Sequence, residues 1–200
     1  MNVFVLCTGR CGSTTFTRAA SYMSNYTAGH ESRVTRVGSD RFAYPPNHVE
    51  VDNRLAWMLG RLEQSFGKDA FYVHLRRKPE AVARSFDKRW GIKLGIISAY
   101  RNGILFGAEG TEPYDVCVDM IQTVDANISA FLADKPRKMD FQMESAERDW
   151  PVFWNAIGAE GDFEASLADW KKPLNVTPPQ RSLSKRAIGK VKRISQKWLG

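Results

Sequence analysis

The 200-residue chain predicts one three-layer α/β domain, in which helices cover both faces of a central parallel β-sheet. Three observations carry this prediction. Short apolar runs alternate along the chain with segments whose apolar residues recur at i, i+3, i+4 and i+7, the order strand, helix, strand, helix. Two strand-to-helix junctions gather glycine, hydroxyl residues and arginine, and ligands of open parallel sheets sit at the carboxyl ends of strands. Apolar residues at 43% and charged residues at 26% are the proportions of an ordinary globule, long enough to bury a sizeable core.

The elements follow in order. A strand over about 2–7 (Val3 to Cys7 apolar) leads through a glycine turn into a helix over 13–25, with Phe16, Ala19, Ala20 and Met23 on one face. Thr27 to Pro46 is polar, a loop with room for one short strand. Val49-Glu50-Val51 alternates and reads as a strand. Asn53 is placed to cap a helix carrying Leu55, Leu59, Leu62 and Phe66, ended by Gly67. A buried strand at 70–75 runs into a helix at 79–90. Pro79 takes the first helical position, and Val82, Phe86 and Trp90 face inward. Residues 91–113 hold five glycines and little periodicity, hence a loop. A long helix over 114–134 buries Cys117, Ile121, Val124, Ile128 and Phe131 and stops at Lys135-Pro136. Lys138 to Ser145 is a strand with an acidic end, followed by a helix from Trp150 to Gly158.

The first junction, Thr8-Gly9-Arg10-Cys11-Gly12-Ser13-Thr14-Thr15, has the makings of an anion cradle. Strand, glycine turn and helix aim backbone N–H groups and a helix N-terminus at one point. Ser13, Thr14 and Thr15 add hydroxyl donors and Arg10 a cationic fork. No lysine lies between Val3 and Tyr26, so this is not the nucleoside-triphosphate loop. No arginine stands six positions after Cys7 or Cys11, so it is not a cysteine-phosphatase loop either. In the second junction, Arg76-Arg77-Lys78-Pro79 ends a strand, and Ser85 lies eight residues after Arg77, on the helix. Strand end and second helical turn then face one pocket, where Arg gives a bidentate grip on phosphate and Ser one more hydrogen bond.

These two loops resemble those of the sulfotransferase family. Arg10-Cys11-Gly12-Ser13-Thr14 is similar to its 5′-phosphosulfate loop, with Cys11 in place of a hydroxyl residue. Arg77 to Ser85 is similar to its 3′-phosphate element, with Lys78 in place of an aspartate. They stand in the family's order, about 65 residues apart. The resemblance spans roughly residues 2–160. The family's C-terminal glycine-rich loop over the adenine is not evident; Arg181, Lys185 and Arg186 are basic residues nearby, with no motif to assign them.

The resemblance implies a fold like that of P-loop nucleoside triphosphate hydrolases. It implies sulfuryl transfer from 3′-phosphoadenosine 5′-phosphosulfate to the hydroxyl of a carbohydrate or small molecule, with no metal. Arg10 would contact the leaving group, and Cys11, Gly12, Ser13, Thr14 and Thr15 would form the 5′ cradle. Arg77 and Ser85 would hold the 3′-phosphate. Glu31 is the first candidate for general base, ahead of His30 and the Glu50–Asp52 stretch. Tyr44, Trp57, Trp90, Tyr100 and Phe106 are candidates to line an acceptor site, though each also reads as core. Two other readings are a small nucleotide kinase with a degenerate loop, which would need a magnesium-binding aspartate at a strand end, and a non-catalytic polyanion- or membrane-binding module.

The last reading rests on charge. Residues 181–200 hold seven Lys and Arg and no acid, equal to the net charge of +7 for the whole chain. Residues 1–180 therefore form the near-neutral sulfotransferase-like domain. The tail has an apolar stripe suited to a helix docked on the domain or on an anionic surface. No base-reading motif points to nucleic acid. Three cysteines argue against a disulfide framework, and no signal segment or ~20-residue apolar span is present, so a reduced, cytoplasmic setting is expected.

Overall fold

The computed structural model describes residues 1–107 and 110–172. The basic tail at 181–200, with Arg181, Lys185 and Arg186, lies outside the described residues. Five strands, β1 (Val3–Leu6), β2 (Thr27–His30), β3 (His48–Val51), β4 (Phe71–Arg76) and β5 (Lys138–Gln142), form one sheet in the order β2-β3-β1-β4-β5. Every pairing is parallel. Val5 lies opposite both Val51 and Val73, so the carboxyl ends of β3, β1 and β4 share one edge of the sheet.

The helices are α1 (Ser13–Ala20), α2 (Leu59–Phe66), α3 (Pro79–Asp87), α4 (Ile96–Ala99), α5 (Pro113–Leu132), α6 (Ala146–Ala156) and α7 (Phe163–Ala168). Alternation along the buried strands splits the core into two layers. Phe4, Leu6 and Tyr72 face α2, α3 and α5, together with Leu62, Val82, Phe86 and Met120. Val3, Val5, Val49, Val51, Val73 and Phe141 face the other way, toward Phe16 of α1 and Trp150 and Phe153 of α6. Phe16 is the hub of the second layer. The rings of Phe141, Trp150, Phe153 and Trp170 lie 5.0–5.8 Å from its centroid, mostly edge-on. Each such pair stabilises by about 0.5–1.5 kcal/mol beyond its buried area.

The structure departs from the sequence reading in four places. Helix α1 stops at Ala20, not near 25, because Met23 leaves the helix to make an isolated antiparallel bridge with Gly161. Asn53 does not cap a helix. The carboxylate of Asp52 accepts from the Arg54 N–H and starts a 3₁₀ turn over Asn53–Trp57, and a non-helical Met58 (φ −130°, ψ 27°) separates that turn from α2. The helix expected from Trp150, α6, begins at Ala146, four residues early, and holds Pro151 in its interior. The glycine-rich stretch is not all loop: α4 continues into a π-helical turn over Tyr100–Ile104. Tyr100 is buried there, its hydroxyl between Asp119 and Thr123 of α5. One long-range anchor holds a segment too short for periodicity to reveal.

Candidate functional site

The site forms where the loops after β1, β2 and β4 meet at the shared edge of the sheet. After β1 the backbone turns left-handed at Gly9 (φ 84°), Arg10 (φ 61°) and Gly12 (φ 93°). A non-glycine residue in this region is uncommon. Both positions are also crowded by side chains. A Cβ at Gly9 would sit 2.5 Å from Asn53 Nδ2, and one at Gly12 would lie 3.2 Å from Met143 Sδ. Gly12 opens α1, whose first turn has no side-chain cap. Its N-terminal N–H groups therefore have no intrahelical or capping acceptor.

Arg10 is the centre. Its Nε donates to Ser85 Oγ at 3.0 Å, and its carbonyl accepts from Arg77 Nη1 at 3.1 Å. The two phosphate motifs read from sequence thus converge on one residue. The reason is topological: β1 and β4 are neighbours, with Leu6 opposite His74, so the loops that follow them lie side by side. Glu144, the acidic residue after β5, accepts from the Lys78 N–H at 3.0 Å and ties down the start of α3.

Arg89, four residues after Ser85, lines the same cleft, and its Nε is buried without a hydrogen-bond partner among the described residues. Burial, then the charges of Arg89 and Arg77, pull the Arg10 guanidinium below its ordinary value. Arg77 and Arg89 thus both add positive charge around Arg10. Sequence reasoning missed Arg89; its only signal is the i, i+4 spacing from Ser85.

The opposite rim comes from the end of β2. His30 Nε2 lies 3.0 Å from Ser13 Oγ. Glu31 has a left-handed backbone (φ 51°), donates its N–H to Val51 O at 3.0 Å, and pairs with Arg54 at 2.6 Å. Arg54 and Asn53 line the cleft and were not anticipated there. Underneath, Glu50 is fully buried and accepts from Ser32 N (2.8 Å) and Ser32 Oγ (2.5 Å), with His48 Nε2 at 3.0 Å. Burial works to raise Glu50, but the bonds from His48 and Ser32 outweigh it and hold the carboxyl below its usual range. Asp52 is buried and bonded to Arg41. Neither Glu50 nor Asp52 reaches the cleft.

The cleft encloses about 230 Å³. Arg10, Ser13, Thr14, His30 and Glu31 line it, whereas Cys11, Gly12, Thr15, Arg77 and Ser85 do not; Arg77 and Ser85 join the site through their bonds to Arg10, and Cys11 and Thr15 point away from it. Both are buried, and the Cys11 thiol is turned to Cys7, whose pKa its hydrogen bond and then burial push up. The loop position that departs from the hydroxyl pattern therefore packs against the core. None of Tyr44, Trp57, Trp90, Tyr100 or Phe106 lines the cleft. Tyr44 and Tyr100 are core, Trp57 and Trp90 pack against it, and Phe106 is exposed. Among the described residues no group of three His, Cys, Asp or Glu side chains is placed to hold a metal ion, and no helix is long and apolar enough to cross a membrane.

No protein-family model matches this chain, and no curated protein does. Solved structures do. The sulfotransferase domain from the curacin biosynthetic pathway superposes with a TM-score of 0.57 at 16% identity, over 95% of this chain and 96% of that one. The sulfotransferase from Alicyclobacillus acidocaldarius gives a TM-score of 0.53 at 11% identity, over 85% of this chain and 94% of the other. The chain has the α/β fold of these sulfotransferases.

Proposed function

We propose that this protein is a sulfotransferase that moves a sulfuryl group from 3′-phosphoadenosine 5′-phosphosulfate to an acceptor hydroxyl. One observation carries the reading: Ser85 and Arg77 converge on Arg10 within a cluster of arginines. A cationic site of this kind fits a ligand with several anionic groups, and a donor with both a 5′-phosphosulfate and a 3′-phosphate supplies them. The residues present fit that donor. Gly9 and Gly12 leave space for a close backbone approach, and the orphaned Arg89 Nε is a buried donor awaiting an acceptor.

The donor supplies an activated sulfuryl group whose transfer passes through a loose, in-line transition state, much as in phosphoryl transfer. The N-terminus of α1 with Ser13 and Thr14 holds the 5′ end, and Arg77 with Ser85 grips the 3′-phosphate. Arg10 neutralises charge on the departing phosphate. Glu31 takes the acceptor proton, oriented by Arg54, and His30 orients the Ser13 hydroxyl. The aspartate at the end of β3, which a magnesium-dependent kinase would need free, is Asp52, already engaged by Arg41.

The test is calorimetric titration with adenosine 3′,5′-bisphosphate, beside 5′-AMP and Mg-ATP, on the wild type and Arg77→Ala. The bisphosphate should bind at least about tenfold tighter than 5′-AMP, as a charge-assisted phosphate contact of roughly 1.5–3 kcal/mol implies. Arg77→Ala should remove that preference. A preference for ATP, or a bisphosphate affinity unchanged in the variant, refutes the donor assignment.

A further inference from the structure

One wall of the cleft is hydrocarbon. Beside its polar residues the cleft is lined by Phe86, Ile92, Leu94, Ile96 and Ile97, and Arg89 is the one charged side chain that the same stretch of chain adds. Leu94 is 95% exposed and Ile92 42%, although both line the cleft. Ile104 (61%) and Phe106 (94%), on the same segment, are exposed as well. Four of the seven large exposed apolar side chains among the described residues thus fall within 92–106. Scattered exposed apolar residues are ordinary, but a run of them at the mouth of a cleft marks a surface that something covers.

A carbohydrate needs a polar partner for most of its hydroxyls, and a bare aliphatic wall leaves those groups unsatisfied. Among the described residues the one aromatic side chain that lines the cleft, Phe86, is a core residue only 3% exposed, which leaves little ring face for a sugar to stack on. An acceptor with one hydroxyl and a hydrocarbon body meets both walls: the hydroxyl at Glu31, the chain along Ile92–Ile97. We propose that the acceptor is an aliphatic alcohol, an amphiphile whose alkyl chain lies on Ile92, Leu94, Ile96 and Ile97. This inference rests on the proposed sulfuryl transfer. The acceptor oxygen forms a bond to sulfur while the bond from sulfur to the 5′-phosphate oxygen breaks. The hydroxyl proton passes to Glu31 and then to solvent, leaving an alkyl sulfate and the bisphosphate.

The experiment measures transfer to 1-butanol, 1-hexanol and 1-octanol, each below its solubility limit, beside glucose and N-acetylglucosamine. It uses the wild type, Leu94→Asp and a control, Val37→Asp. Val37 is 83% exposed and does not line the cleft. Each methylene laid on the wall should raise kcat/KM by about fourfold. At saturating donor, Leu94→Asp should flatten that series while leaving thermal stability as in the wild type, and Val37→Asp should leave the series intact. Saturation-transfer NMR of 1-octanol on the bisphosphate-loaded protein supplies a readout without turnover. The alkyl protons should receive saturation from the wild type and none from Leu94→Asp.

A protein that binds the bisphosphate but prefers the sugars, shows no gain with chain length, or transfers no saturation to octanol overturns the inference and not the donor assignment. A protein that fails to bind the bisphosphate overturns the donor assignment; saturation transfer to octanol without the nucleotide then decides the wall, and its absence overturns the inference too. Binding to phosphatidylcholine vesicles that Leu94→Asp abolishes, with no transfer to any alkanol, assigns the apolar residues to a membrane surface and also overturns it.

Discussion

Arg10 serves two purposes through different atoms. Its carbonyl, turned by the left-handed backbone, anchors Arg77, while its guanidinium binds Ser85. Its identity as the cationic residue of the loop was legible from the run Arg10-Cys11-Gly12-Ser13-Thr14; its role as the meeting point of both motifs was not, because contact across 67 and 75 positions leaves no local mark. Glu31 shows the same divide. Its position just after the second strand could be read, but its strained φ and its partner Arg54 could not. Strain of this kind concentrates where geometry matters for function. For the proposed base, Glu31→Gln should lower kcat by about 10²–10⁴-fold while bisphosphate affinity stays within about twofold. Turnover assays and calorimetry on the same preparation check this, and an unchanged kcat would exclude Glu31 as the base.

At the scale of elements, the strand–loop–helix unit β1, loop, α1 was the most legible part. Its signals are local: an apolar run, two glycines at left-handed positions and a helical face that begins at Phe16. Its tolerance is correspondingly low. Gly12→Ala puts a Cβ at φ 93° beside Met143, which must give way. The variant should lose about 1–3 kcal/mol in urea unfolding and bind the bisphosphate more than about tenfold weaker, since the N–H groups of the loop would shift with it. Full affinity in a stable Gly12→Ala protein would show that the loop does not approach the ligand closely. The segment at 91–107 was the least legible. Its glycines mask a four-residue helix and a π turn, anchored by the buried Ile97 and by Tyr100, whose hydroxyl meets α5. That same segment lays the apolar wall over the cleft.

Across the whole molecule, Glu50 ties the edge strand β2 to its neighbour β3 at the rim of the site, through Ser32 and His48. This carboxylate is depressed by its bonds to His48 and Ser32, so it stabilises the fold above the ordinary carboxylate pKa, and that contribution fades as pH falls through its lower folded value. Glu50→Gln should cost about 1–3 kcal/mol at pH 7. The gap from the wild type should narrow below about pH 4.5, where the unfolded carboxylate takes a proton, and go on narrowing until the native one does at its lower value. Urea titrations at pH 7 and at stepwise lower pH measure this; a gap that stays constant into acid would remove Glu50 from the acid stability of the fold.

The sequence by itself determined the fold class, the strands β1, β3 and β4, the long helix α5 and the two basic loops. Each of these is written in periodicity, turn chemistry or spacing over a few residues. The tertiary structure alone decided the sheet order that sets the two basic loops side by side, the addition of Arg89 and Arg54 to the cleft, the burial of Cys11 and Thr15, and the apolar wall of the cleft. Those features depend on which distant segments pack together. A side chain's direction and partners across the sheet are set by packing and burial, which local patterns in one chain do not encode.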